Sequence, residues 1–391
     1  MSNKTWAIIG GGNGGQTMAG HLGLLGEKVR LYKRSQKGVD KINETKQIIL
    51  HHAVDGIGPI EFATTDIGKA INGADVIMLI LPNNQHESVA KQMIPHLQDG
   101  QVILIHPEES CGAIQFRHLM KQMGCTKKVV VGATSTLLYA TRIETDGECY
   151  VNGIKPRVPM AALPASDNEK LKAAICDVLP QFFLYNNVLE TSIDNLNALM
   201  HAGPILLNTA RIEAKPFVPY QYYIEGITPS VAKFIEKTDV ERRAIAKAFG
   251  IKQRKLRDEY IDMYQYGNTN MSLYEVVSTN PGYKNLMITS TIHNRYCIED
   301  IPYSLVPLCA LGDLAGVPTP CMDAVVTIGR AILEDELDEG RTLKNLGIDN
   351  MSKEDFLKYV MGGGRIVVVI NALANYNRAE TSETQPLAFA A

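Results

Sequence analysis

A chain of 391 residues has room for two or three domains. Its 45% hydrophobic and 21% charged content is that of a soluble globular protein and excludes a largely disordered chain. With 39 basic against 42 acidic residues the net charge is -3, which weighs against a dedicated nucleic-acid binder. The longest apolar run, Val76 to Leu81, is strand-sized, far short of the roughly 20 residues of a membrane span. The start, MSNKTWAIIGGG, lacks the apolar stretch and small-residue site of a secretory signal. Seven cysteines without a Cys-x-x-Cys pair fit a reducing compartment better than a disulfide framework or zinc knuckle. A cytoplasmic protein with no structural metal and no membrane partner is the expectation.

The first part of the chain alternates strands and helices. Thr5–Ile9 reads as a strand, followed by a glycine cluster and a helix around Thr17–Leu25; Lys28–Tyr32 reads as the second strand. Ala74–Leu81, Val102–Ile105, Lys128–Gly132 and Met160–Leu163 are further strand candidates, interleaved with helical patterns at Phe116–Met123 and Asn168–Val178. Such alternation predicts an α/β, doubly wound parallel sheet, because a parallel crossover needs a helix-length return. From residue 187 the pattern turns helical: Asp194–Glu213, Ser230–Phe249, Leu256–Tyr264, Ile301–Ala315, Met322–Leu333 and Lys353–Val360. The basic run Lys252, Arg254, Lys255, Arg257 reads as a solvated helix face beside Asp258 and Glu259. The expected division is a dinucleotide-binding domain over 1–186, an all-helical domain over 187–361, and a glycine-led tail over 362–391 outside the functional core.

Gly10-Gly11-Gly12-Asn13-Gly14-Gly15 contains Gly-x-Gly-x-x-Gly between a predicted strand and a predicted helix. Gly10 permits the tight turn, Gly12 lets backbone approach a pyrophosphate, and Gly15 lets helix and strand pack closely; Asn13 and Gly14 open the helix whose N-terminus faces the anion. In the first βα turn of an alternating series this points to a dinucleotide. NAD enzymes usually place an acid at the end of the second strand, for the ribose 2′-hydroxyl. Here Lys33-Arg34 stands there, which favours NADP over NAD. Pro82, in the loop Leu81-Pro82-Asn83-Asn84 after a buried strand, is a candidate wall for the nicotinamide.

Hydride transfer to a carbonyl or imine needs a proton donor, and histidine has a suitable pKa. Of nine histidines only His201 and His293 lie in the helical part, and on composition alone either reads as a hydrogen-bonded structural residue before a catalyst. Gly203-Pro204 after His201 breaks a helical pattern and is able to aim that side chain inward. Tyr222 and Tyr223 read as packing residues.

Several of these segments occur in a telling order: Gly10–Gln16, Asn197 with His201-x-Gly203-Pro204, Tyr223-Ile224-Glu225-Gly226-Ile227-Thr228, Arg295-Tyr296-x-x-Glu299-Asp300-Ile301-Pro302, and Gly316-Val317-Pro318-Thr319-Pro320. Over residues 4–361 the chain resembles the octopine/nopaline (opine) dehydrogenase family. The resemblance implies a Rossmann-like domain followed by an all-helical one, with the active site between them. It implies reductive condensation of an amino-acid amine with a 2-oxo acid such as pyruvate, using NADPH or NADH. It places the catalytic histidine on His201, its aspartate on Asp300, and the motif's arginine on Arg295.

In that reading His201 is the acid/base, and Asp300 fixes its tautomer and raises its pKa. Arg295 offers a bidentate fork to a substrate carboxylate or else pairs with Glu299 or Asp300. Asn197, one helical turn before His201, orients a substrate group or caps a helix break. A ketopantoate-reductase-like or 2-hydroxy-acid dehydrogenase that reduces a free carbonyl is the competing enzyme. A nucleotide-sensing protein without catalysis is the third reading, disfavoured because both His201 and Asp300 are present. The oligomeric state is not readable from the sequence, although apolar helical domains often pair, as in a homodimer.

Overall fold

The structure, a computed structural model, describes residues 4–363. The tail expected after the triple glycine lies, from residue 364 on, outside the described residues. In chain order the strands are β1 (Thr5–Ile9), β2 (Lys28–Tyr32), β3 (Gln47–His52), β4 (Gly56–Pro59), β5 (Phe62–Thr64), β6 (Val76–Leu79), β7 (Val102–Ile105), β8 (Val130–Thr134), β9 (Tyr139–Thr145), β10 (Glu148–Ile154), β11 (Val158–Leu163) and β12 (Phe182–Leu184).

Eight of them form one sheet in the order β12-β11-β8-β7-β6-β1-β2-β5. Its centre is buried on both faces. Along β1, Ala7 and Ile9 enter one apolar core while Trp6 and Ile8 enter the other, the period of two that a strand imposes. The strand order runs outward from β1 in two directions, β2 on one side and β6 on the other, both parallel to it. That reversal opens a crevice at the carboxyl end of β1, where open α/β sheets take ligands. The sheet is not wholly parallel, as the alternation suggested: β11 pairs antiparallel with β8. The chain returns from β8 through the β9–β10 hairpin instead of a helix, so no parallel crossover forms.

A second sheet, β4-β3-β10-β9, was not anticipated. It lies against helix α1 (Asn13–Leu24), and glycines bring the backbones together: a Cβ on Gly58 would stand 1.9 Å from the Gly20 carbonyl oxygen, and one on Gly23 would stand 2.2 Å from that of Pro59. Thr17 Oγ1 meets Thr141 Oγ1 at 2.8 Å across the same contact. The hairpin turns at Asp146-Gly147, with φ +91° at Gly147, a conformation glycine adopts without strain.

Beyond β12 the described chain is helical. Its longest helix, Pro229–Ala248, starts behind Thr228, whose hydroxyl accepts from the Val231 amide, with proline in the first turn. The helix expected over Asp194–Glu213 is three short pieces, Asn197–Met200, Ala202–Leu207 and Thr209–Ile212. The first break falls at His201 (φ −105°, ψ −74°), ahead of Gly203-Pro204. In the basic run, Arg254 pairs with Asp262 and Arg257 with Asp258. Among the described residues no helix is long and apolar enough to cross a membrane.

Candidate active site

Each glycine of the fingerprint has its own surroundings. Gly10 has φ +135°, and a Cβ there would strike the Ile80 carbonyl oxygen at 2.0 Å. A Cβ on Gly15 would strike the Gly10 oxygen at 1.6 Å, so helix α1 packs directly on the turn. At Gly12 a Cβ would meet nothing within 4 Å. The space over Gly12 is therefore open, directly above the helix N-terminus, where no side chain caps the first turn. Backbone amides there are free to face an anion, and the cradle fits a pyrophosphate. Asn13 and Gly14 begin the helix; Asn13 Oδ1 accepts from the Ile143 amide at 2.9 Å, tying the β9–β10 hairpin to the loop.

At the end of β2, Lys33 is partly buried. Its Nζ donates to the Gly11 oxygen (3.0 Å) and pairs with Asp146 (2.9 Å). Arg34 is exposed and has no partner among the described residues. Pro82 is exposed, whereas the next residue, Asn83, is buried and reaches into the second half of the molecule. The Asn83 amide donates to Glu299 Oε1 at 2.9 Å, and its Oδ1 accepts from Arg341 at 2.9 Å. Arg341, fully buried, also donates to the carbonyls of Glu108 (2.6 Å) and Ser110 (2.7 Å). One guanidinium thus joins two strand-end loops, those after β6 and β7.

His201 and Asp300, ninety-nine positions apart, meet: Nδ1 lies 2.6 Å from Oδ2. The helix break at His201 turns the imidazole toward Asp300, which directly precedes a wide turn over Ile301–Leu305 containing Pro302. Tyr296 stacks on the imidazole, centroids 3.9 Å apart and planes at 16°. The Tyr222 hydroxyl donates to the His201 carbonyl at 2.8 Å. Tyr223, expected only to pack, places its hydroxyl 3.1 Å from His201 Nε2. His293, the other candidate, is exposed and paired with Glu336 on the surface.

Burial governs the electrostatics. It pushes His201 down to about 3 and Asp300 well above the usual carboxylate range, where Glu299 adds like charge. The expectation that Asp300 would raise the histidine is therefore reversed: desolvation of the imidazolium outweighs the opposing pull of Glu109 and Glu299. A second acid, Glu109, sits in the β7 loop at φ +55° and is buried. Its Oε2 accepts from Asn195 Nδ2 (2.7 Å) and the Ser304 hydroxyl (3.2 Å). Burial, with Asp300 and Glu299 nearby, raises it to about 8.

Arg295 is largely exposed, its side chain at 71%, and pairs with Glu299 Oε2 at 3.1 Å. Asn197 begins its short helix one turn before His201; its side chain is exposed and makes no hydrogen bond among the described residues. The buried amide at this site is its neighbour Asn195. Sequence reasoning passed over Glu109, Asn195, Arg341 and the Tyr223 contact. Glu109 carried one usable signal, since it follows a buried strand just as Pro82 does.

Comparison with known proteins shows the family. Residues 184–333 match the family model "NAD/NADP octopine/nopaline dehydrogenase, alpha-helical domain", and residues 5–108 match "NAD-dependent glycerol-3-phosphate dehydrogenase N-terminus". An opine dehydrogenase of Arthrobacter sp. (strain 1C) is 37% identical over 354 residues, covering 90% of this chain and 97% of that protein. An octopine dehydrogenase structure with NADH and L-arginine superposes at a TM-score of 0.75, with 22% identity over 92% of this chain and 98% of the other. An NADP+-bound yersinopine dehydrogenase does so at 0.69, with 14% identity over 93% and 98%. The two-part fold is that of these enzymes. The chain belongs to the opine dehydrogenase family and is an NAD(P)-dependent oxidoreductase acting on CH–NH donors.

Proposed function

We propose that this protein reductively condenses the amine of an amino acid with a 2-oxo acid such as pyruvate, with residues 1–186 holding the nucleotide and 187–361 supplying the acid/base. The observation that carries the reading is the buried His201–Asp300 contact, 2.6 Å long, with Nε2 turned to Tyr223. Gly10, Gly12, Asn13, Gly14 and Gly15 hold the pyrophosphate, and Pro82 bounds the nicotinamide end. Bound there, the reduced nicotinamide supplies a hydride. NADP is the favoured nucleotide, on the strength of the exposed, unpaired Arg34 beside Lys33.

Attack of the amine on the oxo-acid carbonyl gives a carbinolamine, and loss of water gives the imine. Burial keeps the His201–Asp300 pair uncharged overall, so one proton is shared between Nδ1 and Oδ2 while Nε2 carries another. Nε2 is thus a proton donor at neutral pH without a free imidazolium. It protonates the departing hydroxyl, and Asp300 takes up the opposite charge. The Tyr223 hydroxyl holds the Nε2 position until substrate replaces it. Arg295 has one edge on Glu299 and the rest of its fork in solvent, available to a substrate carboxylate, while Asn197 offers its amide one turn from His201.

The test is NADPH and NADH oxidation with pyruvate alone and with pyruvate plus a panel of amino acids. Strict dependence on the amine is expected. Equal rates without it would assign the protein to free-carbonyl reduction instead.

A further inference from the structure

The fingerprint lacks an acid at the end of β2, yet the folded chain has one beside that point. It comes from Asp146, at the tip of the β9–β10 hairpin and more than a hundred residues away in sequence. Gln16 fastens the tip to the glycine loop: its Nε2 donates to the Gly11 oxygen (2.9 Å) and to Asp146 Oδ1 (2.7 Å), and its Oε1 accepts from the Gly147 amide (2.8 Å). Lys33 Nζ, 2.9 Å from the same Oδ1, completes the clamp. The lysine stem runs beneath Gly11, where a Cβ would meet Lys33 Cγ at 2.5 Å, and on to Gly38, where one would meet Lys33 Cε at 2.1 Å and Asp146 Oδ2 at 2.5 Å.

We propose that Asp146 sets the discrimination between a ribose 2′-hydroxyl and a 2′-phosphate. The inference rests on the reading that a dinucleotide lies over Gly10–Gly15 with its adenosine ribose at the end of β2. Three facts support it. Lys33 is already paired, so one of the two cations at the ribose end is neutralised before any nucleotide arrives. The pair is mostly shielded, with side-chain exposures of 16% and 27%, so water screens it only in part. And Asp146 Oδ2 accepts no hydrogen bond among the described residues, which leaves a carboxylate oxygen for a ribose hydroxyl and a like charge against a phosphate. The carboxylate that discriminates thus enters from a hairpin in place of the strand end and works against a 2′-phosphate, so the preference for NADP rests on Arg34, the one cation of the two left unpaired.

The test uses the full-length protein without substrates and reads the dissociation constants of NADPH and NADH by cofactor fluorescence. Asp146→Asn keeps the turn, since Asn-Gly suits a two-residue hairpin loop as well as Asp-Gly does. It should tighten NADPH relative to NADH about tenfold, equivalent to about 1.4 kcal/mol. Lys33→Met should weaken NADPH in the Asp146→Asn background and change it little in the parent, where the lysine is committed to Asp146. Asp146→Ser, read the same way, guards against a defect special to asparagine. A ratio within twofold of the parent in both Asp146 variants, with NADPH still weakened by Arg34→Met, would overturn the inference and leave the ribose position standing. If neither Arg34→Met nor Lys33→Met with Asp146→Asn alters either nucleotide, the placement of the ribose itself fails.

Discussion

The glycine loop and the His201 site sit in one molecule but are built on opposite plans. The loop is contiguous, Gly10 to Gly15, and works by what is missing: three positions without a Cβ, two against backbone carbonyls and one under open space. The His201 site is discontinuous, drawing on residues from 109 to 304, and works by what surrounds it: tyrosines, three acids and deep burial. A backbone site tolerates almost any side-chain chemistry nearby but no added carbon. A side-chain site tolerates small shifts of backbone but depends on burial, which sets the charge state of every group in it.

If that contrast holds, single substitutions should separate the two. His201→Ala should lower turnover by about 10²–10⁴-fold, the usual contribution of a positioned acid/base, with nucleotide affinity within twofold of the parent. Steady-state kinetics beside nucleotide titration reads both, and near-normal turnover would place the proton donor elsewhere. Gly12→Val should do the reverse. Its side chain enters the space over the helix N-terminus, so nucleotide affinity should fall about 100-fold while the melting temperature stays within a degree or two. A normal dissociation constant in that variant would remove the pyrophosphate from this loop.

Arg295→Met probes the rim of the second site. A charge-assisted hydrogen bond is worth about 1.5–3 kcal/mol, so KM for the 2-oxo acid should rise about 10–100-fold if Arg295 grips its carboxylate. The pair with Glu299 is too exposed on the arginine side for its loss alone to cost much stability. A lowered melting temperature with unchanged KM would make Arg295 a structural partner of Glu299.

The same contrast explains what could be read before the fold was known. Both halves were legible where a local pattern decides structure: β1, β2 and β7 in the first and the helix Leu256–Tyr264 in the second lie where their apolar spacing predicted. The second sheet was missed because its strands are half exposed and mix polar residues into a weak alternation, as in Gln47–His52. Its one strong signal, Asp146-Gly147, was overlooked, and with it the acid beside Lys33. His201 stood out as one of two histidines in the helical part, but its pairing with Asp300 and the choice of Arg295 came from resemblance, since no spacing rule relates positions ninety-nine apart. The reversed shift of His201 was beyond reach for a further reason: desolvation depends on the whole packed shell, which a contact pair does not reveal.

Glu109 offers the most direct measure of that burial. Its carboxyl is held up at about 8 against an ordinary 4.5, with desolvation the main cause and Asp300 and Glu299 adding to it. Between those two values the native protein keeps a proton that the unfolded chain has released, so this group makes stability fall as pH rises toward 8, by up to about 1.4 kcal/mol per pH unit. His201 acts in the other direction: with its native value near 3 against 6.5, stability is lost as pH falls below 6.5. Removing Glu109 takes away one charge that raises His201, but above pH 5 the native imidazole is neutral with or without it, so this contribution cancels in the difference there. Glu109→Gln keeps a neutral side chain at every pH and can still accept from Asn195 and Ser304. Urea unfolding from pH 5 to pH 8 should therefore show the two proteins alike at the acid end and the variant progressively more stable toward pH 8. Parallel stability curves would mean that Glu109 ionises at its ordinary pH, and that water reaches the His201 site far more freely than its packing indicates.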